Sequence, residues 1–275
     1  DQAKHFRKVV SPDVLIKPLD SRGSMGISFL NKSSQDSDLA LAIAKALSAS
    51  PSKQCLIEEY INGELLTIDG FLNDSLCIPI GIAKRKRISK GLIVTNEIIY
   101  SSSIDKQTSN KCINFLKGVA SALSYSNGHI HCEALLDDSN TLYLVECTNR
   151  GAGVFTSSTI NPYISDLPIN EYLSNLKLGH SIHLNKIQSE FKQRDASLSF
   201  PSLGNPGQII YRCDYKGIIQ NEKVLGFKLF SRIGRPLLTP SDGPSRHFAI
   251  ALATSDKKEI STTIDHIINN FFTIK

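Results

Sequence analysis

The chain has 275 residues, 41% hydrophobic and 21% charged, with a formal net charge of +5. That is an ordinary globular composition, long enough for one large domain or two smaller ones. It speaks against a membrane protein, because no apolar run approaches the length of a span. It also speaks against a nucleic-acid reader, because the basic excess is mild and no aromatics are interleaved with it. A mildly basic surface suits anionic small molecules such as phosphates.

In chain order, residues 14–17 read as a short buried strand ending in Lys17. Residues 18–25 form a polar, glycine-containing loop, and strand resumes over 26–30. Residues 36–50 place Leu39, Ile43, Ala46 and Leu47 on one helical face. A strand at 55–57 runs into Glu58-Glu59-Tyr60, strands at 65–71 and 77–82 pair around Asn73-Asp74, and 92–100 is a further strand. Residues 106–125 form an amphipathic helix through Ile113, Leu116, Val119 and Leu123, and 166–178 a second. Beyond Gly179 the texture changes. The stretch 197–207 is loop-rich and suggests a boundary. Short strands at 208–214, 216–220 and 227–231 and a helix at 257–272 then suggest a small α+β unit packed on the main body. The opening Asp1 suggests a piece of a longer chain.

The most informative feature is the pair Glu133 and Glu146. Each sits in an apolar strand, and Asp137-Asp138-Ser139-Asn140 between the strands reads as a hairpin turn. A carboxylate inside an apolar strand is costly unless something positive meets it. Two brought together across a hairpin repel each other, and a divalent cation relieves the repulsion. Mg²⁺ favours carboxylate oxygens shared with phosphates, so the pair points to a metal–nucleotide site, against the plainer reading of surface acids paired with lysines.

Three other segments carry chemistry. In Ile16-Lys17-Pro18-Leu19-Asp20-Ser21-Arg22-Gly23-Ser24-Met25-Gly26, small residues let backbone N–H groups close on a phosphate and Lys17 supplies charge; a plain hairpin connection is the alternative. Leu56-Ile57-Glu58-Glu59-Tyr60-Ile61-Asn62-Gly63-Glu64 is a strand end that can read an adenine edge, or a solvated acidic end. Arg150, on the small-residue loop Arg150-Gly151-Ala152-Gly153, can clamp an acyl phosphate or carboxylate bidentately, or neutralise Glu146. The basic run 84–87 reads as a solvated edge more readily than as a ligand contact. His129 and His131 are candidates for a base, though strand histidines are more often structural. The six cysteines contain no CxxC and read as buried free thiols; strand alternation points Cys132 and Cys147 away from the neighbouring glutamates.

Taken in order, these segments resemble the ATP-grasp superfamily, in its carboxylate–amine (L-amino acid) ligase and biotin carboxylase-like branch. The resemblance covers residues 11–180. Residues 234–265, with Arg246-His247-Phe248-Ala249-Ile250-Ala251-Leu252-Ala253-Thr254 before a final helix, resemble that branch's small C-terminal domain. It implies an α+β fold: two α+β subdomains sandwiching ATP, a small C-terminal α+β unit, and an N-terminal Rossmann-like domain that is largely absent. The corresponding divisions are 1–10 (a remnant of the opening helix), 11–72 (lid), 73–180 (metal and catalytic subdomain) and 181–275. Lys17, Ser21, Arg22, Gly23, Ser24 and Met25 then match phosphate contacts. Glu58, Glu59, Tyr60, Ile61, Glu64 and Lys84 match the nucleotide cleft, Glu133, Glu146 and Asn149 the metal ligands, and Arg150 with Lys17 the catalytic groups.

The implied activity is ATP-dependent C–N bond formation through an acyl phosphate, with Mg²⁺ or Mn²⁺, on a small carboxylate and an amine, amino acids among them. A cytoplasmic homodimer without nucleic-acid or membrane partners is implied too. The alternatives are an ATP-binding module without turnover, and carbamoyl-phosphate or biotin-carboxylation chemistry. The chain departs from the pattern in having Leu65 where a ribose-binding Glu is usual, Thr148 where a metal-binding Asn is usual, Gln2 where a Lys is usual, and a short connection over 8–13.

Overall fold

The computed structural model describes residues 2–89, 92–180, 182 and 191–275. After helix α1 (Gln2–Val9) comes a three-stranded antiparallel sheet in the order β2-β1-β3, from β1 (Val14–Pro18), β2 (Ser28–Leu30) and β3 (Cys55–Glu59). Alternation along β1 buries Val14 and Ile16 and turns Lys17 to the other face. Helix α2 (Asp36–Ala49) closes this unit by packing Leu39, Ala42 and Ala46 against Val14, Ile16 and Leu30. Its start is fixed by a reciprocal cap in which the Asp38 carboxylate accepts from the Gln35 N–H at 2.8 Å.

The rest is built on one eight-stranded antiparallel sheet. Its members are β4 (Glu64–Asn73), β5 (Leu76–Ser89), β6 (Leu92–Tyr100), β7 (Gly128–Leu136), β8 (Leu142–Thr148), β9 (Ala196–Ser199), β11 (Val224–Leu229) and β12 (Phe248–Leu252), in the order β11-β12-β9-β6-β5-β4-β7-β8. One face is covered by helix α3 (Lys106–Ala122), which sets Cys112, Ile113 and Leu116 on Leu66, Ile68, Ile130 and Cys132. Helix α7 (Lys257–Phe271) does the same further along, over Phe227, Phe248, Ile250 and Leu252. Asp105 and Asp256 cap these two helices by accepting from the N–H of Thr108 and Glu259, each at 2.8 Å. On the opposite face, a π-helical turn (Thr156–Ile160) and helix α4 (Asn161–Ser165) cover Ala83, Tyr100, Leu198 and Ala251, and helix α5 (Ile169–Leu178) covers Phe71, Ile78 and Ile80. Strands β10 (Ile210–Cys213) and β13 (Phe272–Ile274) make a separate pair.

Several expectations need correction. Residues 216–220 are not a strand: helix α6 (Tyr215–Ile219) forms there, because the Asp214 carboxylate accepts from the Gly217 N–H at 3.0 Å and caps a helical turn. The helix expected over 166–178 starts at Ile169, since Asp166 adopts a left-handed φ of 59° and breaks the run. The stretch 197–207 is not all loop: Ser197–Ser199 belong to β9, which pairs with both β6 and β12. The sheet therefore runs straight through the division expected near residue 181, and β9, β11 and β12 extend the sheet that carries the glutamates.

Candidate functional site

Strand register assembles the site. Glu133 on β7 lies directly opposite Glu146 on β8, and β7 pairs with β4 as Glu133↔Thr67 and His131↔Asp69. Strand β5 adds Arg85, opposite Leu65. With a side-chain period of two, these residues share one sheet face. Glu133, its side chain 20% exposed, forms an ion pair with Arg85. The guanidinium is oriented by Thr95, whose Oγ1 accepts from Arg85 Nε at 3.1 Å and Nη2 at 2.8 Å. A register irregularity beyond Lys86, where β6 skips from Glu97 to Thr95, brings Thr95 into line with Arg87 on this face.

His131 bridges two carboxylates. Its Nδ1 lies 2.8 Å from Asp69 Oδ1, its Nε2 3.8 Å from Glu133, and the Tyr100 hydroxyl donates to Asp69 Oδ2 at 3.3 Å. Burial alone would raise the Glu133 carboxyl, yet the charges of Arg85 and His131 hold it down at about 2. Burial alone would lower His131, yet Asp69 and Glu133 raise it to about 10. Along the sheet face acidic and basic side chains thus alternate: Asp69, His131, Glu133, Arg85. Held between two carboxylates, the His131 ring is biased toward its charged form, which disfavours it as a base. Burial lowers the pKa of His129, and its Nε2 is buried without a partner.

The other expected residues are distributed as follows. Lys17 Nζ pairs with Glu58 at 2.8 Å on the small sheet. Residues 21–25 form a turn in which Gly23 and Ser24 both take left-handed φ values, 61° and 60°, which favours glycine at the first. The Gly23 carbonyl accepts from Gly243 N–H at 2.7 Å, so the turn rests on the segment that carries Arg246. Tyr60 spends its N–H on the Asp13 carbonyl at 2.9 Å, so that backbone donor is not open to a nucleotide, and its ring lies tilted against Phe29 with centroids 4.4 Å apart; Glu59 is exposed and Ile61 half-buried. Glu64 and Lys84 pair with each other at 2.9 Å. Alternation from Arg85 puts Lys84 on the reverse face of the sheet from Glu133, so the structure does not bring these two to the carboxylates. Arg150 is exposed and donates Nη1 to the Gly151 carbonyl at 2.8 Å.

Asn149 is also turned elsewhere. Its amide donates to the His129 carbonyl at 2.7 Å and the Asn127 carbonyl at 3.2 Å, tying the end of β8 to the start of β7. Thr148 is the residue that faces His131 on the carboxylate side. Among the described residues no third His, Cys, Asp or Glu completes a metal cluster. Glu133 and Glu146 alone still suit a hard cation that draws its remaining oxygens from phosphate and water.

Sequence reasoning passed over Thr95 and Asp69, read Arg85 only within the solvated run 84–87, and quoted Arg246 only as part of the C-terminal resemblance. The guanidinium of Arg246 stacks 3.7 Å from the Phe200 ring and donates Nη2 to the Thr95 carbonyl at 2.8 Å. Burial, and then the neighbouring Arg85, lower its pKa to about 10. Two signals were available: Asp69 is a carboxylate inside an apolar strand, as Glu133 is, and alternation along 84–87 makes Arg85 an inward residue.

A family model described as ATP-grasp domain matches residues 10–158. No curated protein matches the chain. Solved structures do. The L-amino acid ligase from Bacillus licheniformis superposes with a TM-score of 0.75 at 17% identity, over 97% of this chain and 64% of that one. The biotin carboxylase domain of the Hydrogenobacter thermophilus 2-oxoglutarate carboxylase, solved as a dimer with MgADP and bicarbonate, gives 0.72 at 15%, over 100% and 60%. The phosphoribosylglycinamide synthetase from Anaerococcus prevotii gives 0.64 at 12%, over 100% and 67%. At such identities the likeness is one of fold, and the chain spans 60 to 67% of the length of these three structures.

Proposed function

The chain belongs to the ATP-grasp family, and on that premise we propose that it carries the nucleotide and metal site of an ATP-dependent ligase that joins a carboxylate to an amine. The observation that carries the reading is the in-register pair Glu133 and Glu146 on one sheet face, with Arg85 keeping the buried member ionised. The L-amino acid ligase among the structural neighbours makes pairs of amino acids the first substrates to test.

Glu133 and Glu146 would hold Mg²⁺, or Mn²⁺ in its place, and the metal would neutralise the nucleotide's phosphate charge. Lys17 and the 21–25 turn supply an ammonium and backbone donors for phosphate oxygens. Arg150, exposed on its small-residue loop, presents a planar fork to an oxyanion. In the first step a substrate carboxylate oxygen attacks the γ-phosphorus, the bond to ADP breaks, and an acyl phosphate forms. In the second, the amine nitrogen attacks the acyl carbon, phosphate leaves with the bonding electrons, and the nitrogen's proton passes to solvent. No protein nucleophile is needed. His131, biased toward its charged form, contributes charge and position.

Glu146→Gln is the decisive variant, because Glu146 is exposed and its replacement spares the fold. ADP release with amino-acid pairs should fall about 100-fold or more, the scale of losing one electrostatic group in a transition state. Unchanged turnover would remove the metal role. A second reading, a nucleotide-binding module without turnover, is favoured by Thr148 beside the carboxylates and by the commitment of Asn149 to backbone carbonyls. ATP binding with no amine-dependent ADP release decides for it, and bicarbonate-dependent release decides for carboxylation chemistry. Size-exclusion mass in the presence of nucleotide tests the homodimer.

A further inference from the structure

The two strands that present Glu133 and Glu146 on one face present a second matched pair on the other. Cys132 and Cys147 lie directly opposite each other in the β7–β8 register, one position along from the glutamates, and their sulfurs are 3.3 Å apart. All six cysteines are free thiols. Directly opposed residues of an antiparallel pair have Cα atoms about 4.5 or 5.5 Å apart, depending on which of the two pair types they occupy. Both values fall inside the span of roughly 4.4–6.8 Å that a disulfide bridges. The backbone is therefore already placed for a bond, and closing it asks only for the sulfurs to approach.

The two cysteines differ in access. Cys132 is fully buried against helix α3, whereas Cys147 is only partly buried at the rim of that core. Cys77 and Cys112, in the same core, are also buried, but neither stands opposite another cysteine in a strand pair. The reachable sulfur and the enclosed one thus form an attacking and a resolving pair.

We propose that Cys132 and Cys147 are a redox modification site that takes a peroxide and closes to an intrachain disulfide behind the metal-binding carboxylates. In the first step the Cys147 sulfur attacks one peroxide oxygen, the O–O bond breaks, and sulfenic acid and water result. In the second the Cys132 sulfur attacks the Cys147 sulfur, the S–S bond forms, and the hydroxyl leaves as water with the thiol proton. Two thiols lose two electrons and hydrogen peroxide becomes two waters. Closing the sulfurs from 3.3 Å to bonding distance cross-links β7 to β8 and fixes their side-chain geometry one position along from the residues whose mutual spacing sets the metal site. This consequence, though not the disulfide itself, rests on the function proposed above.

The chain offers a clean assay. Trypsin cleaves after Lys117 and Arg150, and the peptide 118–150 contains Cys132 and Cys147 and no other cysteine. Native protein is treated with hydrogen peroxide, its remaining thiols are alkylated, and the digest is weighed. The expected result is a 118–150 peptide lighter by two hydrogens, unalkylated, and restored by dithiothreitol; Cys147→Ser should leave Cys132 alkylatable. A 118–150 peptide that stays fully reduced, or carries sulfinic acid on Cys147 beside a free Cys132, overturns the proposal. In the second measurement, Mg-dependent nucleotide affinity should fall roughly tenfold on oxidation, the scale of disturbing groups that support metal ligands, in the wild type and not in Cys147→Ser. A disulfide that forms without that loss refutes the coupling to the carboxylates. Reduced protein that binds no nucleotide refutes the ligase site and leaves the mass result to decide the disulfide alone.

Discussion

Replacing Arg85 by methionine separates a buried charge pair from a surface one. The two side chains are 13% and 20% exposed. Burial alone would push the Glu133 carboxyl above its ordinary 4.5, but Arg85, aided by His131, takes it down to about 2. The distance from 4.5 to about 2 corresponds to roughly 3 kcal/mol in favour of the carboxylate. Breaking a buried pair from one side typically costs about 3–5 kcal/mol, because the remaining charge is left uncompensated. His131 at 3.8 Å and the residual exposure of Glu133 soften this, while loss of two hydrogen bonds to Thr95 Oγ1 adds to it. We expect Arg85→Met to lose about 2–4 kcal/mol at pH 7. A carboxyl depressed in the folded state stabilises above its unfolded value, so the deficit is full at neutral pH and fades as pH falls from 4.5 through about 2. The chain has no tryptophan, so urea unfolding is followed by circular dichroism. Glu133→Gln and the double variant complete a cycle with an expected coupling of about 1–3 kcal/mol. A loss below about 0.5 kcal/mol, or a coupling near zero, would refute the reasoning.

Three further outcomes follow from the same geometry. His131, raised to about 10 after Asp69 and Glu133 outweigh its burial, should show no imidazole titration across neutral pH by NMR. Its charge stabilises fully below 6.5 and is lost as pH rises through about 10; Asp69→Asn should shift the titration downward, and an unmoved resonance would count against the bridge. Gly63→Ala places a methyl 2.6 Å from the Leu136 carbonyl oxygen, backbone that cannot yield freely, so a loss of about 1–3 kcal/mol is expected, and an unchanged Tm would contradict it. Cys77 and Cys112, each pushed to about 11 by burial, should resist a thiol reagent at pH 8 in the native state and react fully in denaturant; rapid native labelling of either would show the core to be open.

The Glu133/Glu146 hairpin was legible because its signals are local: two apolar runs, a polar turn between them, and a carboxylate at matched positions. The helices at 36–50, 106–125 and 257–272 were legible for the same reason, since one periodic face and an aspartate or a capping box define each. What failed is non-local. Strand β9 is Ala-Ser-Leu-Ser, buried throughout, and its serines carry no strand signal; only pairing between β6 and β12 makes it a strand. Helix α6 failed because one capping aspartate outweighed a β-rich Ile218-Ile219. Arg85 and Arg87 looked like a solvated edge because composition alone does not show that strands on both sides will enclose alternate members of a basic run.

The same non-local logic decides how the C-terminal third should be understood. Strand β9 pairs with β6, and the residue after it, Phe200, lies under the Arg246 guanidinium. Arg246 holds the Thr95 carbonyl while Arg85 holds the Thr95 hydroxyl, and Arg85 in turn holds Glu133. Two and three residues before Arg246, the chain brushes the 21–25 turn: Gly243 donates to the Gly23 carbonyl, and a side chain at Gly23 would meet Pro244 at 3.5 Å. Apart from the Arg85–Glu133 ion pair, each contact is an ordinary hydrogen bond or ring contact worth about 1 kcal/mol or a little more by itself. Together they connect the expected phosphate turn, the basic strand and the carboxylate proposed to hold the metal through residues beyond 191, none of which lies in the 10–158 segment that the family model matches. A charge row held in one protonation state needs its counter-charges fixed on every side, and here one side is built from the part of the chain where the sequence carries the weakest motif.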